Sequence, residues 1–279
     1  MKTTLHANGV DLCAETFGDR DDPALLLIMG SSASMDWWED EFCARLAAGG
    51  RFVVRYDHRD TGESVAYEPG RPPYTGADLA SDALGVLDAL GIHRAHVAGM
   101  SMGGAIAQVL ALEHPERVAS LTPIATSPVS GSHDGLPPMD DDLVAAFNVS
   151  EPDWSDRAAV IDYVTHLART SAARSRPFDE PAFRALAGRI IDRTRNVESS
   201  YKNHNVMEQG APMTKRLDEV KVPALVVHGN EDPVFHPAHG QALAAAIPGA
   251  SLLALPGTGH ELPRRTWDVV IPAILEVSA

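Results

Sequence analysis

The chain has 279 residues, 44% of them hydrophobic and 22% charged, with a formal net charge of −15. That composition supports a folded core and excludes a mostly disordered chain, and the acidic balance excludes nucleic acid and an anionic membrane surface as partners. Two cysteines, Cys13 and Cys43, are too few for a disulfide framework. The first residues lack the apolar stretch of a secretory signal, and no run approaches the roughly 18 apolar residues of a membrane span, so a cytoplasmic protein is expected.

Residues 3–17 alternate weakly around the turn signal Asn8-Gly9 and predict two antiparallel edge strands. Residues 24–29 form an unbroken apolar run, as in a strand buried on both faces of a parallel sheet, and end in a small-residue loop, Gly30-Ser31-Ser32. A helix follows Trp37 and Trp38 to about residue 48. The next strand, 52–56, closes on Asp57-His58-Arg59-Asp60-Thr61-Gly62. Residues 75–90 carry helical spacing (Leu79, Ala83, Val86, Leu87, Leu90) with Gly91 as the stop. A strand at 95–98, a helix at 103–113 and a strand at 118–125 complete the first half.

The pattern then changes. Residues 128–215 hold Pro/Ser/Asp-rich connections and amphipathic helical pieces with no convincing buried strand, and predict a helical lid inserted into a core domain made of 1–127 and 216–279. Strand character returns at 224–228 and 251–255, with helices at 239–247 and 265–277. Alternating strands and helices mean a mostly parallel, doubly wound α/β sheet with right-handed crossovers. The insertion leaves from the carboxyl edge of that sheet, where ligands bind in open α/β folds.

Gly99-Met100-Ser101-Met102-Gly103 is a G-x-S-x-G between a strand and a helix. This nucleophile elbow puts a serine on a turn so tight that its neighbours must be small, and lifts the hydroxyl over a helix N-terminus that favours an anion. A serine hydroxyl needs a base held by a third group. His260, in the glycine-rich loop after the last predicted strand, supplies the base; Asp232, in the turn after the strand at 224–228, supplies the acid. Glu231 is expected to face solvent, and Asp134 is the competing acid. Ser101, Asp232 and His260 follow the serine–acid–histidine order of α/β-hydrolases. The oxyanion donors are then the backbone N–H groups of Met102 and Ser31.

Asp57-His58-Arg59-Asp60 is read as a tie beneath the site, with the arginine between two aspartates. His228, His236 and His239 lack metal-ligand spacing, and no G-x-G-x-x-G follows a strand, so neither a metal nor a cofactor is expected.

Over nearly its whole length the chain resembles an α/β-hydrolase. Leu27-Ile28-Met29-Gly30, then residues 55–62 from Arg55 to Gly62, then Ser101-Met102-Gly103, resemble the aclacinomycin methylesterase group, whose members remove a methyl ester from an anthracycline during antibiotic biosynthesis. Like that group, the chain opens the oxyanion loop with Met29-Gly30 rather than His-Gly, but it carries Ser31 where the group has glycine. The resemblance implies a serine esterase that cleaves a methyl ester of a bulky apolar small molecule. Gly30, Met29, Trp154 and Phe147 are expected at the substrate. Thioester, lactone, carbon–carbon-bond or peroxyacid chemistry on the same triad, and a hydrolase-like ligand-binding protein with little turnover, are the alternatives.

Overall fold

The computed structural model describes residues 1–131, 135–210 and 213–279. Within them the predicted order of strands and helices is present: β1 (Lys2–Ala7), β2 (Val10–Phe17), β3 (Ala24–Ile28), α1 (Asp40–Ala48), β4 (Phe52–Tyr56), α2 (Gly76–Ala89), β5 (Ala95–Met100), α3 (Met102–Glu113) and β6 (Val118–Ile124). Four helices follow, α4 (Asp141–Phe147), α5 (Arg157–Ser171), α6 (Glu180–Arg193) and α7 (Val197–Val206), and then β7 (Leu225–Gly229), α8 (Pro237–Ala246), β8 (Ser251–Leu255) and α9 (Trp267–Val277).

The described strands form one sheet in the order β1-β2-β4-β3-β5-β6-β7-β8, antiparallel where β2 meets β1 and β4, and parallel elsewhere. One expectation needs correction. Only β1 of the first pair is an edge, because β2 also pairs with β4 through Ala14↔Tyr56 to Phe17↔Val53.

The apolar run of β3 divides by strand alternation. Leu26 and Ile28 enter a core with Leu79, Val86 and Leu87 of α2 and Ile106 and Leu110 of α3. Leu25 and Leu27 face the other way, onto Phe42 and Leu46 of α1 and Trp267, Val270 and Ile274 of α9. Helices thus cover both faces, which is why the central strands are apolar at every position. Cys13 and Cys43 are separate buried thiols, each pushed up to about 12 chiefly by burial.

Three polar connections between β6 and β7 are helix starts. Asp156 accepts from Ala158 and Ala159 N–H, Asp179 from Ala182 N–H, and Asn196 from Ser199 N–H, each satisfying donors that the first helical turn leaves free. Val160, Val164 and Ala187 form a small core of this segment with Trp154, Tyr163, Phe183 and Tyr201 around them. Among the described residues no helix is long and apolar enough to cross a membrane.

Candidate active site

Ser101 stands between β5 and α3 with φ 54° and ψ −119°. A serine holds such a left-handed φ only where its surroundings over-determine it, at a cost of about 1–3 kcal/mol. The two flanking glycines are needed for steric reasons. A Cβ on Gly99 would lie 2.0 Å from the Gly103 carbonyl oxygen, and one on Gly103 would lie 2.2 Å from that of Ile28. Ser101 N–H donates to Ile124 O at 2.9 Å, tying the turn to β6. The hydroxyl is therefore delivered by contacts among three adjacent strands and one helix.

The loop after β3 abuts this turn. A Cβ on Gly30 would come within 3.2 Å of Ser101 Cβ, a close contact that glycine avoids. The next residue, Ser31, is exposed, and its N–H has no partner among the described residues; the same is true of Met102 N–H at the head of α3. Two backbone donors thus stand without a partner among the described residues, one on the loop after β3 and one at the start of α3.

Asp232, in the turn after β7, is 1% exposed. One oxygen accepts from Val234 N–H at 2.8 Å and Phe235 N–H at 2.9 Å, and the other lies 2.9 Å from His260 Nδ1. Burial pushes this carboxyl up, but the His260 ring beside it and the backbone N–H bond from Phe235 outweigh burial and hold it below the usual 3.8. With Nδ1–H on Asp232, neutral His260 keeps its Nε2 lone pair available. Among the described residues no hydrogen bond joins Ser101 Oγ to that ring, an arrangement common where catalytic bonds tighten only around substrate.

The two loops that carry Asp232 and His260 meet closely. A Cβ on Gly229 would lie 2.3 Å from the Thr258 carbonyl oxygen, and one on Gly259 would lie 2.4 Å from that of Ser171. His260 N–H donates to Ser171 O at 2.8 Å, so the inserted helix α5 anchors the histidine loop. Glu231 faces solvent as expected, and its exposed carboxylate accepts from Ser175 N–H at 2.9 Å and from the Ser175 hydroxyl at 2.5 Å. Asp134 lies outside the described residues.

The histidines near Asp232 have separate partners. His228 Nε2 donates to Phe235 O at 2.7 Å, and burial lowers its pKa. His236 is 3.0 Å from Asp140, and His239 bonds Ser127 Oγ and Pro137 O at 2.9 Å each.

Residues 57–60 do more than the predicted tie. Arg59 forks Asp82 of α2 at 2.7 Å through two nitrogens, so its partner is neither flanking aspartate. Those aspartates reach the inserted helices instead. Asp57 is held by Arg193 at the end of α6, and Asp60 accepts from Asn203 Nδ2 on α7 at 2.8 Å and from Tyr74 OH at 2.5 Å. The sequence carries no signal for the pairings with Arg193 and Asn203 beyond the density of polar residues after β4, because those two partners lie more than 130 positions away.

The expected substrate contacts divide. Gly30 adjoins Ser101, and Met29 is buried in the core with its carbonyl against His58. Trp154 packs with Tyr163 and Tyr201 at ring separations of 5.7 Å, within the small core of the inserted segment. Phe147 is 48% exposed on α4. Neither lines the cleft that runs from Ser32 under α5, α6 and α7, whose apolar walls are Trp37, Val164, Ile190, Ile191, Val197 and Tyr201. Aromatic side chains on short helices bury one another first, which accounts for the packing of Trp154.

A sheet of this order with its polar groups gathered at the carboxyl ends of β3, β5, β7 and β8 defines a hydrolase class. Residues 23–263 match the family described as alpha/beta hydrolase fold, and the chain belongs to that family. Within it, the chain is 34% identical to "Rhodomycin D methylesterase DauP" of Streptomyces sp. (strain C5), covering 95% of this chain and 94% of that one. It is 33% identical to "Rhodomycin D methylesterase DnrP" of Streptomyces peucetius, covering 98% and 97%. Among solved structures it is similar to an enol-lactonase from Burkholderia xenovorans LB400, with a TM-score of 0.76, 27% identity and 99% of each chain covered.

Proposed function

We propose that the chain is a serine esterase acting on a carboxylic methyl ester of a bulky apolar small molecule, an aromatic polyketide of antibiotic biosynthesis being the class its relatives' names suggest. The observation that carries this reading is the 2.9 Å bond from His260 Nδ1 to buried Asp232, together with a serine held at positive φ and two backbone N–H groups that have no partner among the described residues.

His260 Nε2 takes the Ser101 proton as Oγ attacks the ester carbonyl. The imidazolium is stabilised by the Asp232 carboxylate, which keeps its charge because His260 and two N–H donors hold it. The Met102 and Ser31 N–H groups receive the tetrahedral oxyanion, at the N-terminus of α3 where the helix dipole favours it. His260 then protonates the departing methanol, and a water activated by the same ring releases the acid and frees Ser101.

The segment 128–215 serves as the cap, with the acyl group lying in the cleft that begins at Ser32. That cleft holds about 20 Å³, room for about one water, so a polycyclic acid enters only when α5, α6 and α7 shift from the core. Binding energy from that large remote group then orients the ester. The test is a comparison of kcat/KM for a polycyclic aromatic methyl ester with that for methyl acetate. At least a hundredfold preference for the polycycle is expected. A constant no better than for methyl acetate defeats the reading, and activity on acyl thioesters or lactones with none on methyl esters moves the chain to that chemistry instead.

A further inference from the structure

The turn that presents Ser31 N–H is gripped on both sides by a buried histidine. His58 Nε2 lies 2.9 Å from the Met29 carbonyl oxygen; a carbonyl only accepts, so this nitrogen carries the ring's proton. On the other side, His204 Nδ1 lies 2.9 Å from Ser32 N, while its Nε2 lies 2.9 Å from the Arg59 carbonyl oxygen. A backbone N–H only donates, so Nδ1 of His204 is the bare acceptor and Nε2 the donor. The two rings meet edge-on at 5.9 Å, with His58 0% and His204 4% exposed.

What they hold is strained. Ser32 has φ +61°, a region where a non-glycine residue needs outside support. Its N–H finds an acceptor only on α7, 172 positions away. Helix α7 is in turn docked on the loop after β4, through Asn203 Nδ2 to Asp60 at 2.8 Å and the Ser200 hydroxyl to the Asp60 carbonyl. We propose that His204, with His58 opposite, is a positioning residue for the oxyanion-binding turn: by accepting Ser32 N–H it sets the conformation in which Ser31 N–H is left free beside Ser101. The inserted segment thereby completes the catalytic backbone geometry, besides any contact it makes with substrate. The inference rests on the esterase reading of Ser101.

The test exploits the two edges of the ring. Asn Oδ1 branches from Cγ as His Nδ1 does and reproduces the acceptor for Ser32 N–H, whereas Gln extends one bond further, toward the Arg59 carbonyl. His204→Asn, His204→Gln and His204→Leu are compared for the rate of Ser101 labelling by a fluorophosphonate, whose phosphoryl oxygen occupies the oxyanion position, and for kcat and KM on p-nitrophenyl acetate. Asn is expected within about threefold of wild type. Gln and Leu are expected about tenfold to hundredfold slower in labelling and kcat, with KM unchanged, since one oxyanion donor is worth about 10²–10³ in kcat when lost outright. The proposal is overturned if Asn is as slow as Gln, if Gln labels at the wild-type rate, or if KM changes while kcat does not. Should Leu fail to fold, the Asn–Gln comparison decides. Wild type that is labelled yet turns over no ester sinks the esterase reading alone, because the labelling rates still judge His204; wild type that is not labelled sinks both.

Discussion

Arg193, the last residue of α6, places two nitrogens on the two carboxylate oxygens of Asp57 at 2.7 Å each. Asp57 is 0% exposed and also accepts from Met35 N–H at 2.8 Å and Glu63 N–H at 3.0 Å. A Cβ on Gly62 would lie 2.2 Å from the same carboxylate. This pair fastens the end of α6 to the loop after β4.

Breaking one side of such a pair leaves a buried charge without its partner, at a cost of about 3–5 kcal/mol. Arg193→Met is expected to lose stability of that order in urea unfolding followed by circular dichroism. The double variant Arg193→Met with Asp57→Asn is expected to be milder than Arg193→Met alone, because it removes the orphaned charge. Equal losses in the single and double variants would refute the buried pair.

Ser101→Ala is expected to lower ester turnover by about 10⁴-fold or more, leaving what binding and the backbone donors supply. Its circular dichroism should match wild type, since alanine also fits the half-exposed turn. Retention of a tenth of the wild-type rate would remove Ser101 from the mechanism.

Asp232→Asn is expected to cost on the order of 10⁴ in kcat, by favouring the wrong His260 tautomer. Asp134→Asn should cost far less, because Asp232 already occupies His260 Nδ1. Steady-state kinetics of both variants on one ester settle the ranking, and the reverse order would reassign the acid.

Acid should weaken the fold through the two buried histidines. Burial lowers the His58 pKa, and burial with the neighbouring His58 ring takes His204 to about 3. The groups facing His204 are the edges of His58 and Tyr74, with Arg59 stacked on Tyr74 and Asp60 bonded to the Tyr74 hydroxyl. Below the usual histidine value of 6.5 the unfolded chain takes up protons that the folded chain refuses. For His204 stability is therefore full above that value and falls as pH drops toward 3, by up to about 1.4 kcal/mol per pH unit, and His58 acts in the same direction. Urea midpoints at pH 7 and pH 5 are expected to differ less for His204→Asn than for wild type. Identical differences would mean that His204 titrates normally.

The elbow was legible in five residues because its demands are local. Gly99 and Gly103 are required by backbone oxygens within a few ångströms, and any chain that makes this turn needs them. The strand runs were legible for a similarly direct reason: β3 is apolar at every position because helices cover both of its faces. Even the order of Ser101, Asp232 and His260 could be read, since each follows a strand end.

Other assignments depended on where distant segments meet. Trp154 was expected at the substrate and lies in the core of the inserted segment, because hydrophobicity does not say which apolar surface a ring will choose. Glu231 keeps its expected exposure, but its bond to Ser175, 56 positions away, carried no sequence signal. His58 sits in a stretch read only as a tie, and Arg193 and His204 carry no motif. Their partners lie 29 to 172 positions away, and a buried polar group declares its role only when the chain closes around it and supplies the one donor or acceptor it lacks. The position of the serine was thus a matter of sequence, whereas the support of the loop after β3 was decided by the docking of α7 on the loop after β4.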